Sequence, residues 1–525
     1  MSSELQTPVP PALRGPKPLP FVDLRATKPD PQALLLTPGD FAIARQTLPI
    51  ALDRDVLVVA IGAEGSLSSV DDLGILLERP VRAVLADPTL IRLQIEEVFI
   101  EKMLGGMPTE DGESTAVDLD EDAGLADLQR MASETAIVQM VNLIFSQAVR
   151  DGASDIHVEP YDKEVRVRYR LDGILHVIAK PPKRMHAALI SRLKILGEMN
   201  IAERRLPQDG RIKLQIAGRT VDVRVAIVPT MYGERAVMRI LDKSTSVVGL
   251  EAIGMGGDIA TLFRKVIRQP HGMILSTGPT GSGKSTTLYG ALQELTSVTT
   301  NILTIEDPVE YQIFGIGQIQ VRPNIGLTFA NGLRSIVRQD PDIIMVGEIR
   351  DEETAEIAIH AALTGHMVFS TLHTNDAPGA ITRLLDMGVE PYLCASSIVA
   401  VLGQRLLRRN CPACAQPSVE TQPALDSLRI TKAMVDGHIL MRGPGCDHCA
   451  GTGFKGRTGL FELLVVDETI RKMTTDRVSA SVIKAHATEN MSMRTLLEDG
   501  RRAVLAGLTT PEEVLRVCQR EDIEE

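Results

Sequence analysis

The chain has no tryptophan, and aromatic residues make up only 3% of it. Its cores must therefore be aliphatic, and an activity built on stacking exposed bases is not expected. No run of about 18 apolar residues occurs, so no segment is fit to cross a bilayer as a helix. Nothing near the N-terminus has the layout of a secretory signal, and a cytosolic chain is expected. Basic residues are outnumbered, 56 Lys and Arg against 68 Asp and Glu, for a formal charge of -12. A general nucleic-acid coat needs the opposite sign. Six cysteines in 525 residues are too few for a disulfide scaffold, and the cytosol would keep them reduced.

What the chain does have is a glycine-rich loop. Gly278, Pro279, Thr280, Gly281, Ser282, Gly283, Lys284 and Ser285 match G-x-x-x-x-G-K-[ST], followed by Thr286. Glycines in this spacing let backbone N–H groups close around phosphate oxygens, with Lys284 neutralising the β/γ-phosphates of ATP and Ser285 holding Mg²⁺. Context supports the pattern: Met273 to Leu275 reads as a buried strand, and Leu288, Ala291, Leu292 and Leu295 recur at helical spacing. Phosphates would thus meet a helix N-terminus.

At 525 residues the chain is too long for one ordinary core, and three or four domains of about 150 residues are expected. Residues 1–20 form a proline-rich leader, 21–101 a small interaction domain, and 102–129 an acidic linker. Residues 130–242 open with an amphipathic helix from Ala136 to Ala148 and continue with period-two strands. There Val165, Val167 and Tyr169 alternate with Arg166, Arg168 and Arg170, and Asp172-Gly173 supplies a hairpin turn. With Arg211, Arg219, Arg224, Arg235 and Arg239, one sheet face is rich in arginine. Such a face is solvated, or it lends charge to a neighbouring subunit's triphosphate, which requires an oligomer.

Residues 243–405, which contain the loop, read as the ATPase domain. The strand of Asn301 to Glu310 ends in Glu306, Asp307 and Glu310, carboxylates placed for Mg²⁺ or water at a strand's C-terminal end. A second strand, Asp342 to Arg350, has Gly347 where a metal-linked aspartate often stands, leaving Glu348 to polarise the attacking water. His366 and His373 flank a third strand, which argues against a shared metal, and His373 is placed to sense a γ-phosphate. Cys411, Cys414, Cys446 and Cys449 form two CxxC knuckles within a 406–457 module, a closed and therefore structural Zn²⁺ site. Cys394 and Cys518 read as core residues, and 458–525 reads as a helical C-terminal domain.

Separated blocks agree in order and spacing with one family: Ala153-Ser-Asp-Ile-His-Val-Glu-Pro160, Leu206-Pro-Gln-Asp-Gly-Arg211, the phosphate loop, Thr304 to Glu310, Val346 to Arg350, and Ser370-Thr-Leu-His-Thr-Asn375. The chain resembles the secretion ATPase superfamily that includes the type II secretion motor and the type IV pilus motors. The tetracysteine insert, Gly456-Arg-Thr-Gly-Leu-Phe-Glu-Leu-Leu464 and the ending Thr510 to Val517 make it most similar to the type II secretion ATPase.

The resemblance implies a multidomain α/β fold. A RecA-like P-loop core would be preceded by an α+β PAS-like sheet domain and a small N-terminal domain. It implies Glu348 as the catalytic carboxylate, the 302–311 strand as an aspartate box, His366 and His373 as a histidine box, and Arg211 and Arg224 reaching the nucleotide. It further implies a homo-hexamer at the inner membrane. The N-terminal domain would dock on the cytoplasmic domain of a secretion component, and the ring would act on a membrane platform protein, with no nucleic acid. Three rivals remain open at this point: a type IV pilus assembly motor, whose family shares much of the same signature, a nucleotide-gated scaffold without hydrolysis, and a nucleic-acid translocase.

Overall fold

The structure is a computed structural model that describes residues 19–24, 27, 29–37, 41–42, 45, 47–62, 67–88, 90–91, 94–95, 135–216, 219–242, 249–420, 422–449 and 451–518. The expected leader up to residue 18, the acidic linker and the turn at Gly218 lie outside them. Two compact units are formed, one from Met1–Tyr169, Leu175–Ile212 and Arg224–Arg239, the other from Arg170–Ile174, Lys213–Val223 and Ile240–Glu525.

The first unit begins with helix α1 (Pro31–Leu36), whose N-cap Asp30 accepts from the Gln32 amide at 2.9 Å. Strands β1 (Thr47–Asp53), β2 (Val56–Ile61) and β3 (Val81–Leu85) make a small sheet, with helix α2 (Leu67–Leu77) between the last two. The run Val56–Ile61 alternates between two cores: Val58 and Ala60 face one, and Leu57, Val59 and Ile61 face the other.

A longer amphipathic helix, α3 (Thr135–Asp151), buries Ile137, Met140, Val141, Phe145 and Ala148. It leads into β4 (Asp155–Pro160), β5 (Val165–Leu171) and β6 (Ile174–Ala179), then helix α4 (His186–Leu196), and β7 (Gln208–Ile216), β8 (Arg219–Thr230) and β9 (Gly233–Asp242). These strands form one sheet in the order β6-β5-β4-β9-β8-β7. Asp172 and Gly173 both take positive φ, 47° and 87°, as a two-residue hairpin turn requires.

The second unit is wound around a seven-stranded sheet. Helix α5 (Gly257–Ile267) precedes β10 (Gly272–Thr277), α6 (Lys284–Leu295), β11 (Ile302–Glu306), β12 (Gly317–Gln320), α7 (Phe329–Ile336), β13 (Ile343–Val346), α8 (Glu352–Leu363) and β14 (Met367–Leu372). Helices α9 (Pro378–Asp386) and α10 (Pro391–Ser397) then lead to the long strand β15 (Ile398–Asn410). The order is β12-β11-β13-β14-β10-β15-β18, where β18 is Phe454–Val465 and pairs antiparallel with β15; the other pairings are parallel.

Because helices cover both faces, β10, β13 and β14 are buried along their whole length; β13 is wholly apolar, while β10 and β14 turn to Ser and Thr toward their C-terminal ends. Met273 and Leu275 face a core built with α7 to α10, while Ile274 faces the core of α5 and α6.

The C-terminal region differs from the expected helical domain. Residues 454–465 are strand β18, and the two short strands β16 (Gln416–Pro417) and β17 (Met441–Arg442) pair within the cysteine-bearing segment. Helices α11 (Glu468–Thr475) and α12 (Ala480–Met491) send Ile470, Ile483 and Ala487 into the same core as Met273. Helices α13 (Leu496–Leu505) and α14 (Pro511–Val517) close a further core over Leu407, Leu425 and Leu428. The physical reason is that Thr458 to Leu464 is buried on both faces, Glu462 included, so its apolar residues show no alternation that separates strand from helix.

Candidate active site

The phosphate loop leaves the C-terminal end of β10, a central strand. Gly278, Gly281 and Gly283 have φ of 149°, 78° and 87°, in the region that favours glycine. At Gly278 a Cβ would also lie 2.4 Å from the Gln404 carbonyl oxygen and 2.7 Å from Ser282 Oγ, so no side chain fits there. Gly283 caps α6, and Lys284 opens that helix.

Lys284 turns back into its own loop. Its Nζ donates to the carbonyls of Gly278 at 2.8 Å and Pro279 at 3.1 Å. Burial pushes the ammonium down to about 8, opposed by the negative Glu348 and reinforced by the positive Arg405. Ser282 is buried at 4% exposure, and its hydroxyl has no hydrogen-bond partner among the described residues. A buried orphan hydroxyl beside a buried ammonium fits an anionic ligand. Pro279, Thr280, Gly281 and Ser285 are exposed at the loop surface, and Thr286 bonds the Tyr311 hydroxyl.

Glu348 comes to the same place from β13. Its side chain is 17% exposed, with one oxygen 3.2 Å from His373 Nε2 and the other paired with Arg350. Gly347 stands where an aspartate was absent from the sequence pattern. Its amide bonds the Ile305 carbonyl at 2.8 Å, and a Cβ would come within 3.3 Å of the Glu306 backbone. Close packing of β13 on β11 therefore accounts for the glycine. Lys284, Glu348 and His373 are thus brought together from three segments.

The two carboxylates of β11 are separated in role. Glu306 is buried; Oε2 accepts from the Tyr289 hydroxyl, and Oε1 from Thr304 at 2.5 Å and Gln318 at 3.1 Å. Burial pushes its carboxyl up despite these bonds. Both of its oxygens are engaged inside the fold, whereas Asp307, the first residue past the strand, is exposed. His366 bonds the Ala361 carbonyl at 2.9 Å and so closes the end of α8. It sits at the opposite end of the six-residue β14 from His373, about 23 Å away at strand rise, so the two histidines do not meet in space.

Several of the arginines are held within their own domain. Arg168 and Arg235 both reach Glu159, at 2.6 and 2.7 Å, Arg239 bonds Asp155 at 3.1 Å, and Arg166 pairs with Glu164. Asp155, His157 and Glu159 share one face of β4, so the Ala153 to Pro160 block is a buried ion-pair ladder. Arg211 is exposed on β7, with no ion pair among the described residues, and Arg224 is half-buried on β8.

Two site residues escaped sequence reasoning. Gln404 Oε1, fully buried, accepts from Thr287 Oγ1 at 2.8 Å, and its carbonyl walls off Gly278. Arg405, 7% exposed, donates from Nη2 to the Asn375 carbonyl at 2.6 Å. The available signal was a polar pair between the apolar residues Ile398 to Leu402 and Leu406 to Leu407, since such groups are rarely buried without partners.

The four cysteine sulfurs all lie within 4.8 Å of one another, with Cys411–Cys446 and Cys414–Cys449 at 3.9 Å and Cys446–Cys449 at 3.7 Å. Four thiolates about 2.3 Å from a tetrahedral ion stand about 3.8 Å apart, so the set fits Zn²⁺. Amides of Cys446 and Gly453 donate to Cys449 Sγ at 3.2 Å, as they would to a thiolate ligand.

Residues 130–516 match the family described as Type II/IV secretion system protein. The chain belongs to that family. Residues 18–103 match the MshEN domain. Among relatives, the Type II secretion system protein HxcR of Pseudomonas aeruginosa is 50% identical over 459 residues, covering 87% of this chain and 90% of that one. The Type II secretion system protein E of the same organism is 49% identical over 396 residues, 75% of this chain and 78% of that one. The Type IV pilus assembly ATPase PilB of Myxococcus xanthus is 41% identical over 505 residues, 95% and 88% of the two chains. The ATPase DotB of Legionella pneumophila superposes with a TM-score of 0.53 at 20% identity, over 71% of this chain and 94% of that one, and shares the fold.

The resemblance to the type II secretion ATPase therefore stands, and the protein is an ATPase of this secretion family. Among the described residues no helix is long and apolar enough to cross a membrane.

Proposed function

We propose that this secretion ATPase hydrolyses ATP as a homo-hexamer to drive type II secretion at the inner membrane. The convergence of Lys284, Glu348 and His373 on the phosphate loop is the observation that carries the reading. Gly278 to Thr286 cradle the phosphates, and Lys284 neutralises them. Glu348 orients and polarises the attacking water, and His373, touching Glu348, senses the γ-phosphate. Ser285, with the exposed Asp307, would hold Mg²⁺, which supplies charge neutralisation at the phosphates. Glu306 supports that strand end from inside. Cys411, Cys414, Cys446 and Cys449 would hold a structural Zn²⁺.

Arg211 and Arg224, carried by the 130–242 domain, supply positive charge to a neighbouring subunit's nucleotide, so that hydrolysis requires the ring. The 21–101 domain docks on the cytoplasmic part of an inner-membrane secretion component, and the ring acts on a membrane platform protein. The likeness to a PilB over 95% of the chain favours type IV pilus assembly as the second reading. Deleting the gene separates the two. Loss of exoprotein secretion with surface pili intact is the expected result; lost pili with normal secretion would assign the chain to pilus assembly.

A further inference from the structure

Glu462 lies in the Gly456 to Leu464 block that the catalytic reading does not use. It is 1% exposed, on β18, and stands opposite Gly403 of β15. Its Oε1 accepts from the Ala377 amide at 2.8 Å, at the start of α9, and its Oε2 from the Leu496 amide at 3.3 Å, at the start of α13. A Cβ at residue 403 would sit 3.3 Å from the Ala377 nitrogen and 3.5 Å from Glu462 Oε1, so the glycine leaves room for this bond.

Three groups from neighbouring strands hold the backbone of the segment from His373 to Ala377. Thr277, the last residue of β10, accepts from the Thr374 amide at 3.0 Å and meets the Thr374 hydroxyl at 2.5 Å. Arg405 donates to the Asn375 carbonyl, and Glu462 accepts from Ala377. Two of these three anchors are buried charges on the neighbouring strands β15 and β18. Burying a charge is costly unless hydrogen bonds or an opposite charge compensate it, and here both bond the backbone of the segment that presents His373 to Glu348.

We propose that Glu462 and Arg405 are positioning residues for ATP hydrolysis, which fix the His373–Ala377 segment so that His373 meets Glu348, and that Glu462 ties this segment to the C-terminal helix α13. The inference rests on the assignment of Glu348 and His373 above. Burial pushes the Glu462 carboxyl up to about 7, with Asp376 adding to the shift and Lys484 opposing it. A carboxylate at that cost marks a position where an apolar residue would serve packing better.

The test uses the full-length protein with Glu462→Gln, Arg405→Lys, His373→Ala and the double variant Glu462→Gln/His373→Ala. Steady-state ATP turnover, fluorescent-ADP affinity and melting temperature are measured for each. Glutamine keeps the size of Glu462 but cannot accept both amides. Glu462→Gln is expected to lower kcat about tenfold to hundredfold, as small misplacements of catalytic groups do, with ADP affinity within about threefold. The double variant is then expected to be no slower than His373→Ala alone. Losses that multiply in the double variant, or an unimpaired Glu462→Gln beside an impaired His373→Ala, would overturn the proposal. A fully active His373→Ala would overturn the site assignment and the inference with it. Should Glu462→Gln fail to fold, Arg405→Lys, made alone and combined with His373→Ala, reads the same segment from β15 with the same two outcomes.

Discussion

His373 Nε2 lies 3.2 Å from Glu348 Oε2, which joins the residue just past β14 to the second residue past β13 beside the phosphate loop. The contact holds one carboxylate oxygen, and Arg350 holds the other. Glu348→Gln is nearly isosteric but cannot take a proton from water. Its kcat should fall by about 10²- to 10⁴-fold while nucleotide still binds, as read by phosphate release and fluorescent-ADP titration. Turnover at the wild-type level would remove Glu348 from the chemistry.

Gly278 and Gly281 make an internally controlled pair. Gly278→Ala places a methyl 2.4 Å from a backbone oxygen at φ 149°, whereas Gly281 has open space at φ 78°. Gly281→Ala should cost only the left-handed strain of about 1–2 kcal/mol. Gly278→Ala should cost more and should also abolish nucleotide binding. Melting curves with and without ADP check the order; equal effects would contradict the packing of the loop on β15.

The cysteine cluster should carry one Zn²⁺ per chain by elemental analysis, and Cys446→Ser should lose it. A metal holds a small module together by folding free energy. Chelation should therefore raise amide exchange across residues 411–453 and leave β10 protected. Protection unchanged after verified zinc loss would show that the metal does not hold the segment.

Stability should depend on pH through Glu462. Burial holds its carboxyl at about 7 in the folded protein, above the ordinary glutamate value of 4.5. A raised acid binds more protons folded than unfolded, so its contribution is fully present below about pH 4.5 and is lost as pH rises to about 7. Glu462 faces Asp376 and Lys484, which pair with each other at 3.6 Å. The melting temperature of Glu462→Gln should accordingly vary less than wild type between pH 5 and 7. Parallel curves would place the titration elsewhere.

If Arg211 serves a neighbour's site, mixtures should outperform their parts. Arg211→Ala and Lys284→Ala, each inactive alone, should regain partial turnover when co-assembled, because some interfaces then combine an intact arginine with an intact loop. Strict additivity of the two inactive samples would argue for action within one subunit.

The local features of this chain were legible because their causes are local. Gly278 to Lys284 encode backbone angles that few other residues adopt, and Asp172-Gly173 encodes a hairpin for the same reason. The two CxxC knuckles likewise state their geometry by spacing alone. Illegibility began where a residue's role depends on a distant partner. Glu306 looked like an open carboxylate until Tyr289 and Gln318 closed around it. The Leu460 to Val465 run carried no period by which a strand differs from a helix.

The sequence by itself determined that a nucleotide site, a tetracysteine cluster and an arginine-bearing sheet are present, because each is written in residues close together in the chain. Only the tertiary structure decided what surrounds the loop. Parallel pairing sets β10 between β14 and β15, and antiparallel pairing adds β18. That order brings Gln404 to Gly278, His373 to Glu348 and Glu462 to Ala377 across 126, 25 and 85 residues of chain. Such contacts follow from which strands lie side by side, and no local spacing records that choice.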